Sequence, residues 1–262
     1  MRPVLFYIGG TAVPSFWVTA FLGFVAAFLV IRNDLLRRGY SVDLAYDLTL
    51  YAYVGGWVGA RLFIIPSAWD LFMKDPIGVL LSGSGWVWYG GLIGGTVAVW
   101  LLARQRRIPL IVLADVAAPA LAIGLAFGRI GCQLAGDGDY GSPTNLPWGM
   151  SYPNGVVPTT ERVHPAPLYE MVASLAIFAY LWRRRHANPP AGDLIGRYLI
   201  LAAAVRFLIE CIRRNPNWLL GLTTAQWTSI GLAALGVVLL RGKSTASLLS
   251  RPPPSCPKRA AS

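Results

Sequence analysis

Apolar residues in this chain fall into long runs, at about 15–31, 44–65, 86–103, 109–131, 167–182, 194–212 and 224–240. Each is long enough to cross the hydrocarbon core of a bilayer, or nearly so. The pattern predicts about seven transmembrane helices, and so an all-α polytopic membrane protein. Two connections differ from the short polar links elsewhere. Residues 66–85, beginning Pro66-Ser67-Ala68-Trp69-Asp70-Leu71-Phe72, look amphipathic and tryptophan-bearing, as an interfacial helix would. Residues 132–166 form the longest loop, rich in Gly, Pro, Asn and Thr, and a long ordered loop in a compact protein usually carries function. The stretch 243–262, with Pro252-Pro253-Pro254, reads as a disordered tail, which leaves 1–242 as a single transmembrane domain.

Composition supports that class. Of 262 residues 55% are hydrophobic and only 13% charged, against roughly 25% charged in a soluble domain, and mean hydropathy is +0.52. The net charge of +11 does not point to nucleic acid, because the basic residues do not interleave with exposed aromatics. They cluster between the apolar runs, where they report topology. Links after the first, third and fifth runs, with the tail, hold fourteen Lys and Arg, including Arg37, Arg106 and Arg184; the other side holds five. The N-terminus is therefore expected outside, and the C-terminus and the tail in the cytoplasm. Met1-Arg2-Pro3 and the run to Ile31 lead into Arg32-Asn33-Asp34 rather than a small-residue cleavage site, so no cleavable signal peptide is expected. Cys132, Cys211 and Cys256 share no CxxC spacing, and His164 and His186 are too few and too scattered for a metal site. Neither a structural disulfide nor a metal is expected, and no cofactor.

Charges inside the apolar runs carry the candidate chemistry. On the predicted topology, Arg61, Arg129, Glu170, Arg206, Glu210, Arg213 and Gln226 all fall in the outer half of the membrane, with Asp115 nearly alone on the inner side. Arg206, Glu210 and Arg213, spaced i, i+4, i+7, would share one helix face, and Arg206–Glu210 could be a plain ion pair. The arginines outnumber the acids at that level, which predicts a positive cavity suited to a lipid phosphate held by guanidinium forks. Arg129 sits where apolar helix becomes the glycine- and aspartate-rich turn Gly136-Asp137-Gly138-Asp139-Tyr140-Gly141. Glycines at 55, 56, 59, 90, 91, 94, 95, 124 and 128 predict close helix packing. Tyr89, beside Gly90-Gly91, reads first as a membrane-belt aromatic and second as a catalytic group.

Several segments, in order from about residue 9 to 240, resemble the prolipoprotein diacylglyceryl transferase family. They are Gly128-Arg129-Ile130-Gly131 with the turn after it, Gly90-Gly91-Leu92-Ile93-Gly94, Gly59-Ala60-Arg61-Leu62, Pro143-Thr144-Asn145-Leu146-Pro147-Trp148-Gly149, His164-Pro165-Ala166-Pro167-Leu168-Tyr169-Glu170, Arg206-Phe207-Leu208-Ile209-Glu210 and Gln226-Trp227-Thr228-Ser229. The resemblance implies seven helices in the bacterial inner membrane. It implies transfer of the diacylglyceryl group of phosphatidylglycerol to the lipobox cysteine of a preprolipoprotein signal peptide, with glycerol phosphate leaving. It further implies that Arg129 binds the phosphate, that Arg206 acts near the reacting centre, that Glu210 orients Arg206 and that Asp137 anchors the loop. Arg61, Gly141 and Arg213 would complete the substrate site. Position 89 is tyrosine where many members have a histidine proposed as the thiol's base, so the proton would go to Tyr89, or the arginine field would itself acidify the thiol. Cys132 stands where many have asparagine and Phe16 where many have tyrosine. Other readings of the same residues are a paralogue with another acceptor, a lipid-binding protein without chemistry, and a transporter; a transporter would carry charges along a path through the membrane.

Overall fold

A computed structural model describes residues 1–81, 87–216 and 218–242. The tail at 243–262 and the last part of the expected interfacial stretch, from 82, lie outside the described residues. Long helices occupy the seven apolar runs: α1 (Ser15–Arg37), α2 (Val42–Leu62), α5 (Trp88–Arg106), α6 (Leu110–Ala135), α7 (Ala166–Arg184), α8 (Asp193–Glu210) and α9 (Thr224–Arg241). In the expected interfacial stretch a 3₁₀ turn at Ile65–Ala68 leads to two short helices, α3 (Trp69–Lys74) and α4 (Pro76–Leu81), which expose Trp69, Leu71, Met73 and Ile77. Among the described residues, four stretches are long and apolar enough to cross a membrane: Ser15–Arg37, Val42–Lys74, Leu110–Ala135 and Thr224–Arg241. Helices α5, α7 and α8 fall short of that measure, and they carry Gly90–Gly95, Glu170, and Arg197 with Arg206 where apolar residues would otherwise stand.

The chain is mostly helical but not all-α. Strands β1 (Val4–Ile8) and β2 (Thr11–Pro14) form an antiparallel hairpin, and β3 (Met150–Tyr152) and β4 (Thr159–Val163) form another. Gly9 and Gly10 turn the first hairpin with φ of 55° and 86°, the left-handed pair that a two-residue hairpin turn requires. In the second, the long polar loop satisfies its own backbone by pairing across the Gly155 turn, since buried or interfacial amides must find partners somewhere.

By internal contacts the described chain divides into two compact units, Met1–Val30 with the chain from Ala114 onward, and Ile31–Leu113. In the second, α2 and α5 meet backbone to backbone through glycine. A Cβ on Gly59 would lie 2.2 Å from the Gly90 carbonyl oxygen, and one on Gly94 would lie 2.3 Å from that of Gly55. Small residues here permit the close approach that drives helix association where no hydrophobic effect operates. Gly59→Ala is expected to force the pair apart and to cost about 1–3 kcal/mol, seen as a lowered Tm in detergent. The expectation of close packing fails at Gly124 and Gly128, where an added Cβ meets no atom within 4 Å.

In the first unit α1 lies on α6, with Phe127 against Gly23 and with Thr19 and Phe16 against Gly131. Helices α8 and α9 meet at Gly196 and Gly236, where a Cβ on Gly236 would lie 2.6 Å from the Gly196 carbonyl. Asp115 of α6, buried to 1% exposure, accepts from the backbone N–H of Gly192 at 2.7 Å and of Ile195 at 2.9 Å. It thereby caps the start of α8, supplying two of the acceptors a helix N-terminus lacks. At the same end buried Asp193 pairs with Arg184 at 2.6 Å and Arg197 at 2.9 Å.

Candidate active site

The site is built where α6, α7 and α8 end beside the loop 136–149. Arg129 lies in the last two turns of α6, Glu170 in the second turn of α7, Arg206 in the last turn and a half of α8, and Glu210 at its end. Arg213 is not on the helix face with them, because α8 stops at Glu210; it stands in the turn that follows. These side chains form one continuous chain of ion pairs. Arg213 pairs with Asp139, Asp139 with Arg129, and Arg129 with Glu170. Glu170 then reaches Arg206 Nη1 at 3.3 Å, Arg206 Nη2 reaches Glu210 at 2.7 Å, and Asn215 donates to the other Glu210 oxygen at 2.7 Å. Arg213 also donates to the Asp139 backbone carbonyl at 3.2 Å.

The expected surplus of positive charge is absent from this network: Arg129, Arg206 and Arg213 face Asp139, Glu170 and Glu210, three against three. Asp139 was not counted because it sits in a loop rather than in an apolar run. Side-chain exposure grades the acids, with Glu210 at 0%, Glu170 at 5% and Asp139 at 37%. Burial works to raise the Asp139 carboxyl, but the guanidinium groups of Arg213 and Arg129 outweigh it and hold the acid below its ordinary range. Asp139 is therefore a carboxylate at neutral pH.

The loop is fixed at both ends, and in its middle Asp139 is tied to Arg129 and Arg213 and Tyr140 stacks on Tyr152. Gly136 and Gly138 adopt φ of 61° and 94°, which a side chain would strain. Asp137 accepts from the Asp139 N–H at 3.3 Å, forming an Asx turn. Gly141 donates to the His164 carbonyl at 2.8 Å, and a Cβ there would lie 2.8 Å from the Ile212 carbonyl, so its requirement is close backbone approach. Across the loop Arg162 donates to the carbonyls of Leu146, Pro147 and Gly149 and presents Trp148, whose indole donates to the Tyr169 hydroxyl at 2.7 Å. That hydroxyl lies 3.4 Å from His164 Nδ1. Cys132 Sγ lies 3.8 Å from Arg129 Nη1 and within 4.8 Å of the carboxylates of Asp137 and Asp139. A thiol and two acids could ligate a cation, but Asp139 already serves two guanidinium groups, whose charge opposes one.

Of the residues expected at the site, the structure brings Arg129, Arg206, Glu210, Arg213, Asp137 and Gly141 together in the first unit. Arg61 and Tyr89 lie in the second, at one end of the α2–α5 pair, where the Val87 N–H donates to the Ala60 carbonyl. Arg61 is buried and Tyr89 is partly exposed. Gln226 is spent on structure: its side chain and that of Thr223 form a capping box at the start of α9. Of the two acids that tie the arginines together, Asp139 was missed, and Glu170 was placed among the outer-half charges without a role at the site. The first had a signal in the Asp-Gly-Asp spacing, and the second in a carboxylate placed within an apolar run.

Fold and site define a helical membrane protein that holds an arginine–carboxylate centre beside a long ordered loop. Residues 3–241 match the prolipoprotein diacylglyceryl transferase family profile. The phosphatidylglycerol–prolipoprotein diacylglyceryl transferase of Clostridium tetani is 30% identical over 240 residues, covering 90% of this chain and 96% of that protein. Its namesake from Geobacter sulfurreducens is 32% identical over 258 residues, 95% of each chain. A second transferase of that name from Clostridium perfringens is 30% identical, over 91% of this chain and 94% of its own. The chain belongs to the prolipoprotein diacylglyceryl transferase family and is a transferase.

Proposed function

We propose that the protein transfers the diacylglyceryl group of phosphatidylglycerol to the lipobox cysteine of preprolipoproteins. The thiolate sulfur attacks the glycerol carbon that bears the phosphate, a carbon–sulfur bond forms, and the carbon–oxygen bond to phosphate breaks. Its electron pair leaves with glycerol phosphate, and the thiol proton passes to a base. The observation that carries this reading is the ion-paired run Arg213–Asp139–Arg129–Glu170–Arg206–Glu210, which holds three guanidinium groups within one site. Arginine suits a phosphodiester because its donors form a planar fork. Arg129 binds the phosphate and Arg206 stabilises charge on the leaving oxygen, a role worth several kcal/mol when donors are fixed in advance. Glu210 holds Arg206, Asp137 anchors the loop, and Arg61, Gly141 and Arg213 have substrate-binding roles.

All seven long helices cross the bacterial inner membrane, N-terminus outside, with the site towards the outer leaflet and the tail cytoplasmic; residues 1–242 act as one catalytic domain. Charge placement favours an enzyme over a transporter. Asp115, expected to stand nearly alone on the inner side, is buried and occupied as a helix cap.

The deciding experiment is transfer of labelled diacylglyceryl from phosphatidylglycerol to a lipobox peptide by purified protein. Label that appears on the peptide and vanishes when its cysteine is serine supports the assignment; no transfer to any cysteine peptide overturns it. Tyr89 is the thiol's base, so Tyr89→Phe is expected to slow transfer by about 10²-fold. Wild-type rates in that variant would instead give the thiol's acidification to the arginines.

A further inference from the structure

The arginines of this centre are already satisfied by the protein's own carboxylates. A lipid phosphodiester carries one negative charge and two oxygens that accept from a guanidinium fork, as a carboxylate does. To bring it against Arg129 and Arg213 with no net surplus of positive charge, one internal acid must withdraw. Two of the three are poorly able to. Glu170 and Glu210 are 5% and 0% exposed, sit on helices α7 and α8, and are each held by two polar partners. Asp139 also has two partners, Arg129 and Arg213, but differs in exposure and in placement. Its side chain is 37% exposed, it stands on a loop rather than a helix, and Gly136 and Gly138 precede it in left-handed conformations. The segment around it is held by Asp139 N–H to Asp137 and the Tyr140 hydroxyl to the Val157 carbonyl, both at 3.3 Å, by Arg213 to the Asp139 carbonyl at 3.2 Å, and by stacking of Tyr140 on Tyr152. The chain on either side is fixed, by Gly136 N–H to Cys132 at 2.9 Å and Gly141 N–H to His164 at 2.8 Å.

We propose, resting on the function above, that Asp139 is an internal stand-in for the lipid phosphate. Its carboxylate holds Arg129 and Arg213 in the geometry the headgroup needs, and it swings out, giving up its N–H bond to Asp137, when the headgroup enters. Asp139 is thus a positioning residue that sets headgroup affinity, because every anion bound must first displace it. It also aids turnover: its return to the two arginines expels glycerol phosphate after the carbon–oxygen bond has broken.

The test uses the full chain in detergent, with glycerol 1-phosphate as probe and phosphatidylglycerol as substrate. Asp139→Asn removes the competing charge and keeps the shape, so the probe is expected to bind about tenfold more tightly. KM for phosphatidylglycerol should fall with it and kcat should fall as product lingers, whereas Asp139→Glu should stay near wild type. Equal or weaker probe binding by a folded Asp139→Asn protein overturns the proposal. A measurement without any variant guards against misfolding: hydrogen exchange at the Asp139 and Tyr140 amides of the wild type should quicken when probe is added. Unchanged or slower exchange likewise overturns it. A wild type that transfers lipid while Asp139→Asn fails to tighten sinks the stand-in alone; a wild type that neither binds probe nor transfers lipid removes the underlying function as well.

Discussion

Arg129→Ala is expected to abolish transfer, with a loss of about 10³-fold or more, while leaving a folded protein in the membrane. Both halves of that result follow from the ion-pair chain. Arg129 is its middle member, held by Asp139 on one side and Glu170 on the other, so its donors are fixed before any substrate arrives. On the proposed function, removing it deletes the phosphate's central contact. It strands neither acid, because Asp139 keeps Arg213 and Glu170 keeps Arg206. A buried carboxylate with a remaining partner escapes most of the penalty that an orphaned one would incur. Arg129→Lys separates charge from geometry. An ammonium supplies a point charge without the planar fork, so partial activity with a raised KM is expected. The check is transfer to a lipobox peptide, with folding followed by size-exclusion profile and Tm. Full activity in Arg129→Ala would remove this residue from the mechanism.

The positions of the seven long helices were legible because unbroken apolar runs are the strongest signal a sequence carries. The hairpin at 4–14 was not, because Val4–Ile8 is apolar on both faces and lacks the alternation by which a half-buried strand is read. Its Gly9-Gly10 turn was the available clue. At the site, Arg129, Arg206 and Glu210 were visible as charges in hydrocarbon, which are costly enough to imply a role. Their partners were not visible. Arg206 could be paired in sequence with Glu210 four residues away, yet it also shares Glu170, 36 residues away on another helix. Such pairing is set by how helices pack, so a count that took in Arg61 of the other unit and left out Asp139 did not foresee the three-to-three network. Arg213 was misplaced for a local reason: α8 ends at Glu210, and the i, i+7 relation does not outlast the helix.

Asp115→Ala is expected to do the reverse of Arg129→Ala, lowering stability while sparing chemistry in the molecules that remain folded. The carboxylate is 1% exposed and accepts from the N–H groups of Gly192 and Ile195, 77 and 80 residues away in the chain. Those donors belong to the first turn of α8, whose own geometry leaves them without carbonyl partners. Deleting the acid leaves both without that acceptor, and hydrogen bonds to a charged group contribute about 1.5–3 kcal/mol each. The expected cost is therefore about 3–5 kcal/mol, enough to lower Tm sharply and to reduce the yield of folded protein. Asp115→Asn should recover part of it, since the amide oxygen can still accept from one N–H while its NH₂ cannot serve the other. Helix α8 carries Arg206 and Glu210 at its far end, some ten residues or more beyond the cap, so the cap secures the helix rather than the reacting groups. Activity per folded molecule should then stay within about twofold of wild type, on the rule that distant sites contribute independently. A transporter that used Asp115 as an inner-side relay would give the opposite pattern, a stable protein that had lost its function.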